Sequence, residues 1–225
     1  MTRVCIILLL VLSALPAAAA PEIIAHRGAS YAAPENTLAA FRLAWKEDAD
    51  ACELDCYLTA DKQIALMHDA TTTRTTGVAM RIALSEMADL RKLDAGKWKG
   101  KQFTGEKIPT LAEALATMPK GKRFFVEVKC GAQIVPHMLK VFDASGIDPS
   151  QLVVISFNAE VIRDVEKARP ELKTYYLCSP KHANIEKLIR LARVIGTDGI
   201  NGSASKEFDE SVIAQIRAAG LAVYV

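Results

Sequence analysis

Charge of one sign is what this sequence most plainly lacks: 28 Lys and Arg against 26 Asp and Glu leave a formal net charge of +2 over 225 residues. So weak a field argues against a non-specific nucleic-acid binder and a polybasic membrane-surface protein, and attraction for an ionic ligand must come from local clusters. Cysteine is scarce as well. Of the five, Cys5 falls in an N-terminal apolar run, and Cys52, Cys56, Cys130 and Cys178 are too few for a disulfide framework in a chain of this length. Cys52 and Cys56 would stand roughly 13 Å apart along a strand, beyond disulfide reach. Their C-x3-C spacing has no second pair of zinc ligands nearby, so buried thiols are expected. No glycine-rich loop follows the first strand pattern, which argues against an open dinucleotide-binding sheet.

A long apolar run occurs once. Arg3 precedes the stretch from Val4 to Leu15, then Pro16 and Ala17 to Ala20, a pattern too short to span a bilayer and followed by the small residues a signal peptidase cuts. Residues 1–20 therefore read as a secretory signal peptide, predicting a secreted or periplasmic protein with no membrane span after cleavage. Residues 21–225, in a chain 51% apolar and 24% charged, read as one globular domain. Nothing in the pattern specifies an oligomer.

Apolar runs and caps predict strands at Glu22 to Ala25, Ala51 to Leu58, Ile64 to Met67, Phe124 to Lys129, Leu152 to Ser156, Lys173 to Leu177, Gly199 to Asn201 and Leu221 to Val225. Helical patterns lie between most of them: Asn36 to Lys46, Leu111 to Met118, Ile134 to Ser145, Glu160 to Ala168, Ile185 to Ile195 and Glu210 to Ala219. That alternation predicts an α/β fold, a TIM-type (β/α)8 barrel with helices outside. Only Thr59 to Gln63 separates two of the strands, too few residues for a parallel crossover. Tyr57 to His68 is therefore expected to be an antiparallel hairpin turning near Ala60-Asp61-Lys62 and returning His68 beside Asp55. Residues 70–107, with a short helix at Ser85 to Leu93, read as an insertion above the barrel. Without the hairpin's return, seven barrel strands are counted where eight close a barrel, so the last barrel strand is expected to be missing from this sequence.

Positions two apart on a strand share a face, so Glu53 and Asp55 project together, away from Cys52, Leu54 and Cys56, and Glu127 projects with Lys129. All four lie toward strand C-terminal ends, where parallel barrels carry their active sites. Three converging carboxylates repel unless a cation or protons relieve them, and oxygen ligands suit one divalent cation, Ca²⁺ or Mg²⁺. Ion pairing with Arg27, Lys129 and Arg74 is the structural alternative. His26 after the first strand and His68 on the returning hairpin are candidate acid and base, with zinc ligation by the pair as the intermediate possibility. Arg27 and Lys129 could meet a phosphate. Asn36 has the look of a helix N-cap, with a role for it or Glu35 near the site as the other reading. Ser156, Phe157, Tyr175, Tyr176 and Asn201 either line the pocket or pack in the core. His137 falls in a helix and His182 in a polar loop, with no role assigned.

The motifs His26-Arg27-Gly28, Pro34-Glu35-Asn36-Thr37, Glu53-Leu54-Asp55, His68-Asp69 and Glu127-Val128-Lys129 resemble, in order and spacing, those of the glycerophosphodiester phosphodiesterases. Arg74-Thr75-Thr76-Gly77 and Ile108-Pro109-Thr110-Leu111 extend the likeness. The resemblance implies a TIM barrel that hydrolyses glycerophosphodiesters, small-molecule substrates, to an alcohol and glycerol 3-phosphate with a divalent ion. It implies that Glu53, Asp55 and Glu127 hold the metal, that His26 and His68 exchange protons, and that Arg27 and Lys129 steady the phosphate. Relatives continue past a strand like Ala222 to Val225 into a Trp-Thr-Val-Asn-like stretch and one more strand. The rival readings are a sphingomyelinase D-like or phospholipase C-like phosphodiesterase, or a secreted phospho-ligand-binding protein without turnover.

Overall fold

The computed structural model describes residues 22–179, 184–202 and 208–224. The expected signal peptide and His182 lie outside the described residues. The chain runs β1 (Ile24–Ala25), α1 (Leu38–Lys46), β2 (Ala51–Leu58) and β3 (Ile64–Leu66), then the short helices α2 (Thr73–Thr76), α3 (Met87–Leu90) and α4 (Leu111–Leu115). From there strand and helix alternate: β4 (Arg123–Val128), α5 (Val135–Ser145), β5 (Leu152–Ser156), α6 (Ala159–Ala168), β6 (Lys173–Cys178), α7 (Ile185–Ile195), β7 (Gly199–Gly202), α8 (Glu210–Ala218) and β8 (Ala222–Tyr224).

Seven strands pair in parallel in the order β1-β2-β4-β5-β6-β7-β8, and β3 folds back antiparallel on β2. The result is the curled sheet of an incomplete TIM-type barrel, with β1 and β8 as its edges among the described residues. The hairpin turns where expected, on Lys62 at φ 63°. Register does the rest of the sorting. Cys52, Leu54 and Cys56 face outward with Phe124, Val126 and Val128 into a core shared with Phe41, Leu111 and Met138. Ala51, Phe125, Val153, Ile155 and Tyr175 face inward and, with Tyr224, form an apolar floor inside the curled sheet. Both thiols Cys52 and Cys56 are buried and free.

The structure departs from the sequence pattern at two helices. The first helix does not begin at Asn36: Thr37 is its N-cap, accepting the Ala40 N–H, because Asn36 takes a left-handed φ of 56° and turns its amide elsewhere. The helix expected over Ser85 to Leu93 is a 3-10 turn at Ile82–Leu84 followed by α3. Extended backbone at Ser85 and Glu86 separates them, and the Asp61 carboxylate accepts the Met87 N–H at 3.2 Å. The insertion keeps a small core of its own, Ile82, Met87, Leu90, Ala95 and Ile108 under Ala65 and Met67 of the returning strand.

Candidate active site

Above the apolar floor the inward side chains change character. Asp55 and Glu127 are register partners on β2 and β4, and Glu53 stands two residues back on the same face. One oxygen from each of the three carboxylates lies within 4.8 Å of the others, and all three residues are buried. The loop after β1 reaches over them. Arg27 adopts φ 58°, donates its backbone N–H to Glu53 at 2.8 Å, and sets its Nε 3.3 Å from Asp55 Oδ2. Gly28 follows at φ 74°, with the backbone of Ala40 only 2.7 Å from where a Cβ would sit, so the loop lies directly on α1. From the other side Lys129 Nζ stands 2.7 Å from Glu127 and 3.4 Å from Asp55 Oδ1.

Asn36 completes the grip on Asp55. Its Nδ2 donates to Asp55 Oδ2 at 2.8 Å and its Oδ1 accepts the Asp55 N–H at 3.0 Å. The Pro34-Glu35-Asn36-Thr37 motif thus serves two ends: Thr37 caps the helix and Asn36 serves the site. Asparagine is among the few residues that tolerate a left-handed backbone.

Two cations do not neutralise this mouth. Burial, reinforced by the charges of Asp55 and Glu127, pushes the Glu53 carboxyl well above its ordinary value. Burial also raises Glu127, against the hydrogen bond from Lys129. Glu53 Oε1 and Asp55 Oδ1 have no hydrogen-bond partner, the Lys129 contact with Asp55 Oδ1 being an ion pair without hydrogen-bond alignment. Buried carboxylate oxygens left without partners are costly. Such a set of hard oxygen donors fits a divalent cation of the Ca²⁺ or Mg²⁺ kind. Pure ion pairing does not account for them, since Arg74 is spent on Glu35 and Asp69. Zinc held by both histidines finds no support among the described residues, whose clustered ligand groups are the three carboxylates alone.

His26, exposed to solvent, stands with Nε2 3.9 Å from Glu53. Desolvation and the Arg27 charge lower its pKa below the ordinary 6.5. The Met67 N–H donates to the Asp55 carbonyl at 3.1 Å, returning the chain to the site so that His68 follows immediately. His68 Nδ1 is 2.8 Å from Asp69 Oδ1. Burial raises the Asp69 carboxyl, but hydrogen bonds from Arg74 and His68 outweigh it and hold the group below the usual carboxylate range.

A cleft of about 620 Å³ opens beside the acidic cluster, lined by Glu127, Lys129, Cys130, Phe157, Asn158 and Tyr176 among others. Phe157 is exposed there, whereas Tyr175 is buried in the floor, its ring centroid 4.9 Å from that of Tyr224. Ser156 is buried and donates to the Val128 carbonyl at 2.8 Å. His137 sits on α5, in the outer helical layer.

The model of the glycerophosphoryl diester phosphodiesterase family matches residues 26–225. The chain is 50% identical over 107 residues to YhdW of Bacillus subtilis, a match covering 48% of this chain and 44% of that protein. It is 37% identical over 158 residues to a glycerophosphodiester phosphodiesterase of Caldanaerobacter subterraneus, covering 67% of this chain and 64% of the relative. The chain thus spans less than two thirds of the length of these curated relatives. Among solved structures it is similar to an Oleispira antarctica phosphodiesterase in complex with the product sn-glycerol-3-phosphate, with a TM-score of 0.83 and 30% identity over 90% of this chain and 83% of that one.

Proposed function

We propose that this chain, which belongs to the glycerophosphoryl diester phosphodiesterase family, hydrolyses a glycerophosphodiester to an alcohol and glycerol 3-phosphate. The observation that carries the reading is the buried trio Glu53, Asp55 and Glu127, with two carboxylate oxygens left without partners at the mouth of the barrel. These three would hold one divalent cation, Ca²⁺ or Mg²⁺, which when bound supplies Lewis-acid stabilisation of the phosphate oxygens. Arg27 and Lys129 flank the trio and add the fixed positive charge that a phosphodiester anion meets on entry.

Hydrolysis needs a proton removed from the attacking oxygen and one delivered to the departing alkoxide. His26 and His68 are the two titratable groups at this mouth suited to that exchange near neutral pH. With Asp69 beside Nδ1, His68 would exchange its proton at Nε2, and the depressed pKa of His26 suits an imidazole that begins neutral and accepts a proton. The leader-like composition of residues 1–20 supports action outside the cytoplasm, as a secreted or periplasmic protein. The product named for the Oleispira antarctica structure supports glycerol 3-phosphate as the product here.

Product identification tests the reading. Phosphorus NMR of glycerophosphocholine incubated with the protein in ¹⁸O-water should show glycerol 3-phosphate carrying one heavy oxygen. Phosphocholine as the phosphorus product, or a cyclic phosphate that persists, would overturn it in favour of a different diesterase.

A further inference from the structure

Arg74 lies in the insertion, 39 residues along the chain from Glu35, yet its NH1 and NH2 donate to the two Glu35 oxygens at 2.9 and 2.7 Å. Its Nε donates to Asp69 Oδ2 at 2.7 Å. The other Asp69 oxygen stands 2.8 Å from His68 Nδ1. Beyond Glu35 the line continues, because Arg27 NH1 donates to Glu35 Oε1 at 3.1 Å and Arg27 Nε stands 3.3 Å from Asp55. A single guanidinium therefore ties the imidazole side of the mouth to its carboxylate side. As isolated surface ion pairs these contacts would contribute little. A rigid fork closing on two different carboxylates does something else: it fixes their orientation.

Orientation matters because an ionised carboxylate only accepts hydrogen bonds. Held as it is, Asp69 requires a proton on His68 Nδ1, and the ring is left to give or take a proton at Nε2. We propose that Arg74 is a positioning residue for the proton-transfer step: it fixes Asp69 so that His68 keeps its proton on Nδ1 and works through Nε2. The proposal rests on the reading of His68 as an acid-base group of this site. It also assigns the insertion a part in catalysis, since α2 carries Arg74 and the loop after β1 carries Glu35.

The test reads the tautomer and the turnover separately. Two-bond proton–nitrogen correlation spectra of the full chain, taken above the pH of imidazole titration and with the His68 signals identified by their loss in His68→Gln, should show the neutral ring protonated on Nδ1. In Arg74→Gln the tautomers should mix and kcat for glycerophosphocholine should fall about 10–100-fold, the range of lost outer-shell support, with KM moving less than about threefold. Arg74→Lys keeps the charge without the fork and should stay close to the Gln variant. His68 protonated on Nε2 in the wild-type chain would overturn the proposal, as would an Arg74→Gln protein with unchanged tautomer and kcat. Because the spectra need no turnover, a folded wild-type chain that hydrolyses nothing defeats the functional reading alone, and the spectra of the Arg74 variants still decide the positioning role.

Discussion

At the scale of single residues the site combines groups that are individually unfavourable. Glu53 is buried among like charges and its carboxyl is raised well above 4.5, so in cation-free protein its ionisation opposes folding. The sign follows from linkage: a carboxyl raised in the folded state leaves stability undiminished below its unfolded value and removes it as pH climbs from there toward the folded value. Chelator-treated protein should therefore lose thermal stability as pH rises from that ordinary value, and Glu53→Gln should lose less of it. Melting curves across that pH range check this, and parallel slopes in the two proteins would refute it. For the histidines the expectation concerns rate. His26→Ala or His68→Ala should lower kcat by about 10²–10⁴-fold, the range of general acid-base catalysis, with melting temperature little changed. Near-normal turnover in either variant would remove that residue from the mechanism.

At the scale of elements, three segments assemble the mouth: the loop after β1, the β2–β3 hairpin and the end of β4. Asn36 links the first to the second through two hydrogen bonds to Asp55. Asn36→Ala leaves the buried Asp55 N–H unsatisfied and should cost about 1–3 kcal/mol in urea unfolding; a cost near zero would mean that the loop holds itself in place. On the outer face Phe124 meets Phe41 and Trp45 edge-on, with ring centroids 5.4 and 5.3 Å apart. Phe124→Ala should cost about 3–5 kcal/mol while leaving the turnover of folded protein nearly intact, because that side of β4 faces away from the carboxylates. The hairpin was legible because five intervening residues exclude a parallel crossover, and the face of Glu53 and Asp55 because alternation is rigid. Asn36 was harder. Its type and its place before a helix suit a cap, and only the left-handed backbone reveals that Thr37 caps while Asn36 turns to Asp55. The division of residues 82–90 into two short pieces was also hidden, since it depends on Asp61 reaching Met87 from the hairpin turn.

Across the whole molecule the parallel strands divide the barrel lengthwise, with Phe125, Tyr175 and Tyr224 at the bottom and the acidic trio with its cations at the top. Strand and helix alternation was enough to expect that plan, and the pairing order bears it out. The acidic trio was legible too, since strand position and parity place Glu53, Asp55 and Glu127 without any knowledge of the loops. Arg74 was read as a partner for the acidic trio, whereas its actual partners are Glu35 and Asp69; these come from different segments, and no local pattern announces a fork between them. The insertion proves to be moored to the loop after β1 twice, by Arg74 on Glu35 and by Lys99 Nζ donating to the Ser30 carbonyl at 2.7 Å. Both contacts tie the insertion to the loop that carries Arg27.

If the three carboxylates hold a divalent cation needed for phosphodiester hydrolysis, turnover must follow the cation. The most direct test is glycerol 3-phosphate release from glycerophosphocholine by protein stripped with EDTA and then titrated with Ca²⁺ or Mg²⁺, beside Glu53→Gln treated in the same way. The stripped protein should release none, titration should restore release saturably, and the variant should recover only at higher cation concentration. Full activity after stripping, or identical titration curves for the two proteins, would contradict the cation's role at these carboxylates.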